Sequence, residues 1–337
     1  MRELNQSRQA DLGRQHPPDG VVECLARLQG DRCIYDGVVE LRNNSRIHKA
    51  RWGLRPIAVK ECFGTGSLRS DPAAAEREFA ALTSIAQSAS QSGVPTLTPQ
   101  PLMLCLEFAV YAMAWVPGRP ATEVILARAT TTSHACAIGA GAGNWLRHIH
   151  ALKALSKRAG DFESKVGHVE HLAASDRGAD KLLRRSANSL VSHASEASAQ
   201  YMPASWIHGD MKSDNLLVDG DQIVGLDAQL RDENTVVYDL APFLNHLRLL
   251  KWTPRGAWHG QRLDLVADAF LNAYSQECAG WKLPIAWLRS YLLIQLIDPS
   301  RRITSLASLA LRWAVRLELA RAIDELERAG KSRSNGQ

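Results

Sequence analysis

Three side chains that carry oxygen ligands lie within twenty residues of one another: Asp210, Asn215 and Asp227. An amide oxygen and a carboxylate suit Mg²⁺, because this ion prefers oxygen and usually binds a few protein groups together with phosphate oxygens. A carboxylate such as Asp210 can orient a hydroxyl group and accept its proton. The three residues therefore predict a magnesium site beside a general base.

A β-hairpin is predicted between Asn215 and Asp227. Two apolar runs, residues 216–218 and 223–226, flank the dipeptide Asp219-Gly220, which suits the positive φ angles of a tight turn. The hairpin would place Asn215 and Asp227 at the same open end.

The motif His208-Gly-Asp-x-x-x-x-Asn215, followed twelve residues later by Asp227, resembles the aminoglycoside phosphotransferase and choline kinase superfamily, whose members are relatives of protein kinases. The resemblance implies that Asp210 is the catalytic base and that Asn215 and Asp227 bind magnesium. It also implies that His208 and the later Asp239, in Tyr-Asp-Leu-Ala, support the catalytic loop.

The same resemblance covers about residues 38–274 and implies the fold. We expect an α+β, two-lobed, protein-kinase-like fold, with a small N-terminal antiparallel β-sheet lobe that carries one helix and a larger, mainly α C-terminal lobe. It further implies ATP, with GTP as an alternative, and Mg²⁺ as cofactors.

Two upstream segments resemble the nucleotide-binding parts of this superfamily. Ile-Ala-Val-Lys60 is similar to the strand that supplies a phosphate-binding lysine, and Glu78, eighteen residues later, to the helical glutamate that pairs with it. Glu76 is the alternative partner. The segment around Ala114 and Val116 resembles the hinge whose backbone binds the purine.

The loop expected to cover the nucleotide, residues 42–46, contains no glycine. Asn43 and Asn44 tolerate left-handed turns better than most residues, and Ser45 can donate a hydroxyl hydrogen bond to a phosphate. These three residues are the predicted phosphate contacts.

Two further positions separate alternative functions. Asp227 is followed by Ala-Gln, as in small-molecule kinases, and this favours constitutive activity. Lys212 lies two residues after Asp210, where Ser/Thr protein kinases carry a lysine that contacts the transferred phosphoryl group. Lys212 is thus assigned a supporting catalytic role, and a protein kinase-like enzyme is a second hypothesis. The lack of loop glycines motivates a third, a nucleotide-binding pseudokinase scaffold.

The elements that must position these residues follow from the local patterns. Three short strands are predicted within residues 32–63, and a helix over residues 73–85 with Asp71 as its N-cap and Pro72 at its first position. Beyond the breaker Pro117-Gly118 the periodicity becomes helical, and His150 is expected to face the core or the solvent. The tryptophans after residue 250 are expected in the core.

Length and composition limit the number of domains and the location of the protein. A chain of 337 residues is long enough for two cores. We predict a flexible tail over residues 1–22, an N-lobe over 23–117, a C-lobe over 118–330 and a disordered tail over 331–337. No run is apolar enough for a membrane span or a secretory signal, and the six cysteines show no Cys-x-x-Cys spacing, so the cytoplasm is the expected location.

The charge pattern bears on partners. The net charge of +5 is modest and the basic residues are dispersed, which argues against a nucleic-acid partner. Residues 260–337 contain eleven Lys and Arg against eight Asp and Glu, whereas a polycationic acceptor would call for acidic surroundings. The expected partner is a small molecule with a hydroxyl group: a sugar, an amino alcohol, a glycan precursor or an antibiotic. The oligomeric state is left open.

Overall fold

The computed structural model describes residues 17–28, 33–41, 44–64, 69–91, 93, 97–152, 156–175, 180–297 and 306–334. The chain divides into two compact units. The first contains Met1–Gly118 together with Val224–Gln229, and the second contains Arg119–Ile223 and Leu230–Gln337. The division falls after Gly118, one residue beyond the boundary expected from sequence.

The first unit is built on a five-stranded antiparallel sheet with the strand order β1-β2-β3-β5-β4. Its strands, in chain order, are β1 Cys33–Leu41, β2 Ser45–Trp52, β3 Arg55–Cys62, β4 Pro101–Cys105 and β5 Val110–Ala114. Because successive side chains of a strand point to opposite faces, Val59 and Lys60 of β3 belong to different cores. Val59 packs in the cluster that contains helix α1 (Asp19–Arg27), and the neighbours of Lys60 pack with helix α2 (Pro72–Gln91).

Helix α1 differs from the expected tail over residues 1–22. It begins at Asp19 and buries Val21, Cys24 and Leu25 against the sheet, so the first unit has two helices rather than one. The spacing of these apolar residues at three- and four-residue steps explains why the segment folds: only as a helix do they share one face.

Helix α2 starts as predicted and runs further. The Asp71 carboxylate accepts a hydrogen bond of 3.0 Å from the backbone N–H of Ala74, which satisfies one of the unpaired donors of the first turn. The helix continues to Gln91, six residues beyond the predicted end at residue 85. Its buried face includes Glu78 and Leu82.

The connection between β1 and β2 is shorter than the predicted loop of residues 42–46. Ser45 and Arg46 already belong to β2, where they pair with Cys62 and Glu61, and Ser45 is buried. Asn44 is exposed and its carbonyl accepts the N–H of Phe63. Asn43 lies outside the described residues.

The second unit is mainly helical. Its helices are α3 Ala121–Ile125, α4 Thr132–Ala151, α5 Val166–Ser175, α6 Lys181–Ser198, α7 Val237–Leu250, α8 Gly260–Tyr274, α9 Lys282–Leu296 and α10 Leu306–Ser334. The described residues also form two small sheets, one with the strand order β10-β9-β6 and one with the order β11-β8-β7. Their strands are β6 Arg119–Pro120, β7 Ser156–Ala159, β8 Tyr201–Ile207, β9 Leu216–Asp219, β10 Gln222–Gly225 and β11 Arg231–Thr235.

The predicted C-terminal tail, residues 331–337, differs from the structure because α10 continues to Ser334. The expectation that the late tryptophans are core residues is correct for Trp281 and Trp287. It is wrong for Trp258 and Trp313, whose exposed fractions are 85% and 68%. In the parts of the chain that the structure describes, no helix is both long and apolar enough to cross a membrane.

Helices α4 and α8 approach each other through two glycines. A Cβ atom on Gly139 would lie 2.5 Å from the carbonyl oxygen of Val266, and one on Gly143 would lie 2.3 Å from that of Phe270. Both atoms are backbone, so neither can move aside as a side chain could. The two glycines, one helical turn apart, therefore set the separation of α4 and α8.

Candidate active-site residues

Lys60 lies on β3 in the first unit, and its side chain is 3% exposed. Its amine donates hydrogen bonds of 2.7 Å to Glu78 on α2 and of 2.7 Å to Asp227. Glu78 also accepts a hydrogen bond of 2.9 Å from the hydroxyl of Tyr111 on β5. Three elements of this unit thus converge on one buried cation.

The electrostatics keep Lys60 charged. Burial alone would lower the pKa of its amine, since desolvation disfavours the charged form, but the carboxylates of Asp227 and Glu78 outweigh burial and raise that pKa well above its ordinary value. Burial raises the pKa of Tyr111, which keeps the phenol neutral and able to donate its hydrogen bond. An ammonium group held in this way can bind an anion such as a phosphate.

The alternative partner for Lys60, Glu76, is exposed on the opposite side of α2. Two positions along a helix correspond to a rotation of about 200°, so Glu76 and Glu78 cannot both face the sheet. The structure thus brings together Lys60 and Glu78 rather than Lys60 and Glu76.

Asp227 follows strand β10 and adopts φ = 56°, in the left-handed region. Residues other than glycine rarely adopt this conformation, although aspartate adopts it more readily than most. The turn directs a carboxylate oxygen of Asp227 to Lys60.

The loop that carries Asp210, predicted to be the catalytic loop, lies in the second unit between β8 and β9. The side-chain amide of Asn215 donates to both the backbone oxygen and the carboxylate of Asp210, at 2.9 and 3.0 Å. The amine of Lys212 donates to the same carboxylate at 2.6 Å. The structure therefore brings together three of the predicted residues, and the side chain of Asp210 is half exposed.

Asp239 supports this loop from the first turn of α7. It is fully buried, and its carboxylate accepts the backbone N–H groups of His208 at 2.7 Å and Gly209 at 3.0 Å. Gly209 has φ = 85°, which a side chain would disfavour at this turn. The supporting geometry expected of Asp239 is thus present in the second unit.

His208 is fully buried and lies edge-on to Trp145, with ring centroids 5.6 Å apart. Its Nδ1 accepts the backbone N–H of Asp210 at 3.2 Å, so this nitrogen carries no proton. The imidazole thus links the start of the loop to the residue proposed as the base.

Sequence reasoning missed the role of His150 on α4. The residue is buried, its Nε2 lies 2.9 Å from the Asp239 carboxylate, and its Nδ1 lies 2.8 Å from the hydroxyl of Tyr274. A carboxylate can only accept, so Nε2 donates to Asp239, and Nδ1 shares the second hydrogen bond with the Tyr274 hydroxyl. An ionisable residue next to the apolar positions of α4 was the available signal, because a buried polar group needs a partner.

The predicted purine-binding residues lie at the end of β5. The N–H of Ala114 already donates to the carbonyl of Gln100 at 2.8 Å, so it is not available to a ligand. Val116 follows the strand, in a segment without regular secondary structure. Of the predicted phosphate contacts, Ser45 is buried in the sheet and Asn44 is exposed.

The residues predicted to bind metal fit Mg²⁺ in their chemistry. The Oδ1 atom of Asn215 is buried and has no hydrogen-bond partner among the described residues, so a bound cation would satisfy it. Among those same residues, no three His, Cys, Asp or Glu side chains form a cluster able to hold a metal ion by themselves. Amide and carboxylate oxygens are ligands that Mg²⁺ prefers, so the side-chain chemistry of Asn215 and of Asp227 fits this ion.

The fold and these residues define the class of protein. The antiparallel sheet unit, with Lys60 bonded to Glu78, and the mainly helical unit, with a His-Gly-Asp loop, correspond to a protein-kinase-like phosphotransferase, which confirms the predicted fold class. Residues 64–283 match the model of the phosphotransferase enzyme family, and the chain belongs to this family. The resemblance inferred from sequence is thereby confirmed.

Solved structures show the same fold at low sequence identity. A candidate aminoglycoside phosphotransferase from Ralstonia eutropha superposes with a TM-score of 0.64 at 15% identity, covering 93% of this chain and 99% of that one. A glucosamine kinase superposes with a TM-score of 0.59 at 17% identity, covering 92% and 86%.

A macrolide 2′-phosphotransferase from Brachybacterium faecium superposes with a TM-score of 0.53 at 14% identity, covering 88% and 98%. No curated protein matches the sequence significantly.

Proposed function

We propose that the protein transfers the γ-phosphoryl group of ATP to a hydroxyl group of a small molecule. The observation that carries the proposal is the pairing of Lys60 with Glu78 and Asp227 in one unit, together with the Asp210 loop in the other. In phosphoryl transfer the protein mainly positions the reactants and neutralises charge, and these are the properties that such residues supply.

On the nucleotide side, the Lys60 ammonium would bind phosphate oxygens. Glu78, itself held by the Tyr111 hydroxyl, fixes the amine in place, which lowers the entropy that would be lost when a nucleotide binds. One of the glucosamine kinase structures is a complex with glucosamine, ADP and inorganic phosphate, and this supports a nucleotide as the phosphoryl donor here.

On the acceptor side, Asp210 would accept the proton of the hydroxyl group. As the acceptor oxygen forms its bond to the γ-phosphorus, the bond from that phosphorus to the β,γ-bridging oxygen breaks and ADP leaves. The proton passes to the carboxylate of Asp210, which Asn215 and Lys212 orient. Lys212 can also neutralise charge on the group in transfer.

Asn215 and Asp227 would hold Mg²⁺ through the Oδ1 atom of the amide and a carboxylate oxygen. When bound, the ion would neutralise charge on the phosphates. The other roles would fall to three side chains of the protein. Lys60 would bind phosphate oxygens, Asp210 would accept the proton, and Lys212 would neutralise charge on the transferred group.

The acceptor class follows from charge. Residues 260–337 are slightly basic, with eleven Lys and Arg against eight Asp and Glu, which favours a neutral or anionic acceptor such as a sugar over a polycation. The solved neighbours include a glucosamine kinase, which supports a sugar as the acceptor.

A protein kinase-like activity is the second candidate, and the Lys212–Asp210 hydrogen bond of 2.6 Å is the observation that favours it. It predicts phosphate transfer to a generic protein substrate and none to small alcohols. The presence of Lys60, Asp210 and Asn215 argues against an inactive scaffold.

The test is ADP release by the purified protein with ATP, Mg²⁺ and a panel of sugars, amino alcohols and antibiotics. Asp210→Ala should abolish the signal, and Asp221→Asn, which removes an exposed carboxylate from the hairpin turn, should not. If no acceptor raises ADP release above the level of Asp210→Ala, the proposed function is wrong.

A further inference from the structure

Helix α7 contacts the catalytic loop at two points, seven residues apart. Asp239 binds the backbone of His208 and Gly209 at the start of the loop. His246 lies two turns later on α7, and its Nε2 is 3.4 Å from the hydroxyl of Thr122 and 3.9 Å from the carboxylate of Asp214. Because positions i and i+7 share one face of a helix, both residues face the loop.

The hydroxyl of Thr122 connects His246 to the end of the loop. Thr122 Oγ1 lies 2.6 Å from the hydroxyl of Ser213, which is fully buried. Ser213 is the first residue of the 3₁₀ turn Ser213–Asn215, and the amide of Asn215 binds the Asp210 carboxylate. A short chain of contacts thus runs from His246 to the residue proposed as the base.

The surroundings of His246 keep its ring neutral. Burial lowers the pKa of this histidine, the carboxylates of Asp214 and Asp210 oppose the shift and Lys212 adds to it. A neutral imidazole has one donor and one acceptor, so Nε2 can share a hydrogen bond with the Thr122 hydroxyl without placing a cation beside Lys212.

We infer that His246 is a positioning residue: through Thr122 and Ser213 it holds the turn that carries Asn215, and so sets the direction of the Asn215 and Asp210 side chains. The kinetic part of this inference rests on the proposed function. The structural part, that His246 restrains residues 211–216, does not.

The test compares His246→Leu, which removes both ring nitrogens, with His246→Gln, whose side-chain amide can restore one hydrogen bond to Thr122. His134→Leu is the matched control, because His134 is an exposed histidine on α4 of the same unit. Two quantities are measured for each: backbone hydrogen exchange of residues 211–216, and kcat and KM with the best acceptor.

We expect faster exchange of residues 211–216 in His246→Leu and a loss of about tenfold in kcat, with the KM for ATP changed less than twofold. His246→Gln should recover most of both, and His134→Leu should match the natural protein. A purely structural role would instead lower the midpoint of unfolding and kcat in proportion, with no rescue by Gln.

Unchanged exchange in His246→Leu would overturn the inference whether or not the protein is active. Faster exchange with unchanged kcat would overturn the link to the reaction. An inactive natural protein would count against the proposed function alone, because the exchange comparison still decides whether His246 restrains the loop.

Discussion

The side-chain amine of Lys60 lies 2.7 Å from a carboxylate oxygen of Asp227, although 167 residues separate the two in sequence. The contact forms inside the first unit, because Val224–Gln229 returns to that unit from the second. Lys60 consequently pairs with two carboxylates and offsets the charge of one of them in a buried site.

Replacement of Lys60 by Met should be costly in both stability and activity. It leaves Glu78 and Asp227 without their shared cation, and loss of one member of a buried ion pair costs about 3 kcal/mol. The rate of phosphate transfer should fall by a factor of about 100 or more, as expected when a cationic side chain that binds the phosphates is removed. Urea unfolding and the ADP-release assay measure the two effects.

The control is Lys282→Met, which removes an exposed lysine of the second unit. A Lys60→Met protein as stable as this control would show that the buried carboxylates do not need their cation.

Asp239→Asn should destabilise the second unit even though its shape is nearly unchanged. An amide can accept with one atom only, so at least one of the donors on His208, Gly209 and His150 loses its partner. A buried donor left unpaired costs about 1–3 kcal/mol. Thermal unfolding should show the loss, and Asp268→Asn, on the exposed face of α8, should not.

Asp180 should stabilise helix α6 in a way that depends on pH. Its carboxylate accepts the N–H groups of Leu182 at 2.9 Å and Leu183 at 3.3 Å and pairs with Arg316. Asp180→Ala should lower the free energy of unfolding by about 1 kcal/mol at pH 7. Asp180→Asn keeps an N-cap side chain and should lower the free energy of unfolding by less.

The sign of the pH effect follows from the pKa of Asp180. Burial would raise it, but the hydrogen bonds from Arg316 and the two amides outweigh burial and hold it below the ordinary value of 3.8. The stabilisation by the charged form is therefore complete above pH 3.8 and is lost as the pH falls through the lower pKa of the folded state. Urea unfolding at pH 7 and pH 3 should show the difference between the natural protein and Asp180→Ala shrinking at the lower pH.

Gly143→Ala should force α4 and α8 apart. The added Cβ would meet the carbonyl oxygen of Phe270 at 2.3 Å, and overpacking of this kind costs about 1–3 kcal/mol. Gly167→Ala on α5 is the matched substitution, because no atom lies within 4 Å of its added Cβ and alanine favours a helix. Thermal unfolding midpoints that fall equally in both would contradict the packing argument.

Cys62 should resist alkylation in the folded protein. Burial, with a further contribution from Glu78, raises the pKa of its thiol to about 12, so little thiolate is present at pH 8. Cys136, half-buried on α4, is the internal reference. Peptide mass spectrometry after iodoacetamide treatment should find Cys136 labelled well before Cys62. Equal labelling would mean that the first unit opens around β3 on the timescale of the reaction.

The residues that sequence could place are those governed by local rules. The N-cap at Asp71 and the hairpin at Asp219-Gly220 follow from nearby residue types, whereas the pairing of Lys60 with Glu78 was implied by the family resemblance. The other site residues were predicted because the spacing of the motif around Asp210 resembles that of a known superfamily.

What the sequence could not place depends on distant contacts. The partner of His150 is 89 residues away, and no local pattern identifies it. Ser45 was expected in a loop, but pairing with Cys62 draws it into β2. The exposure of Trp258 and Trp313 likewise depends on which neighbours the chain brings to them, because residue type alone does not fix burial.

The six-residue segment Val224–Gln229 also limits how this protein could be rearranged. The first unit is discontinuous in the chain, so a gene cut after Gly118 would separate Lys60 from one of its two carboxylates. A chimaera that exchanges only residues 1–118 with a homologue would join a lysine from one parent to an aspartate from the other. Recombination within the family therefore keeps this buried charge set intact only when both segments are inherited together.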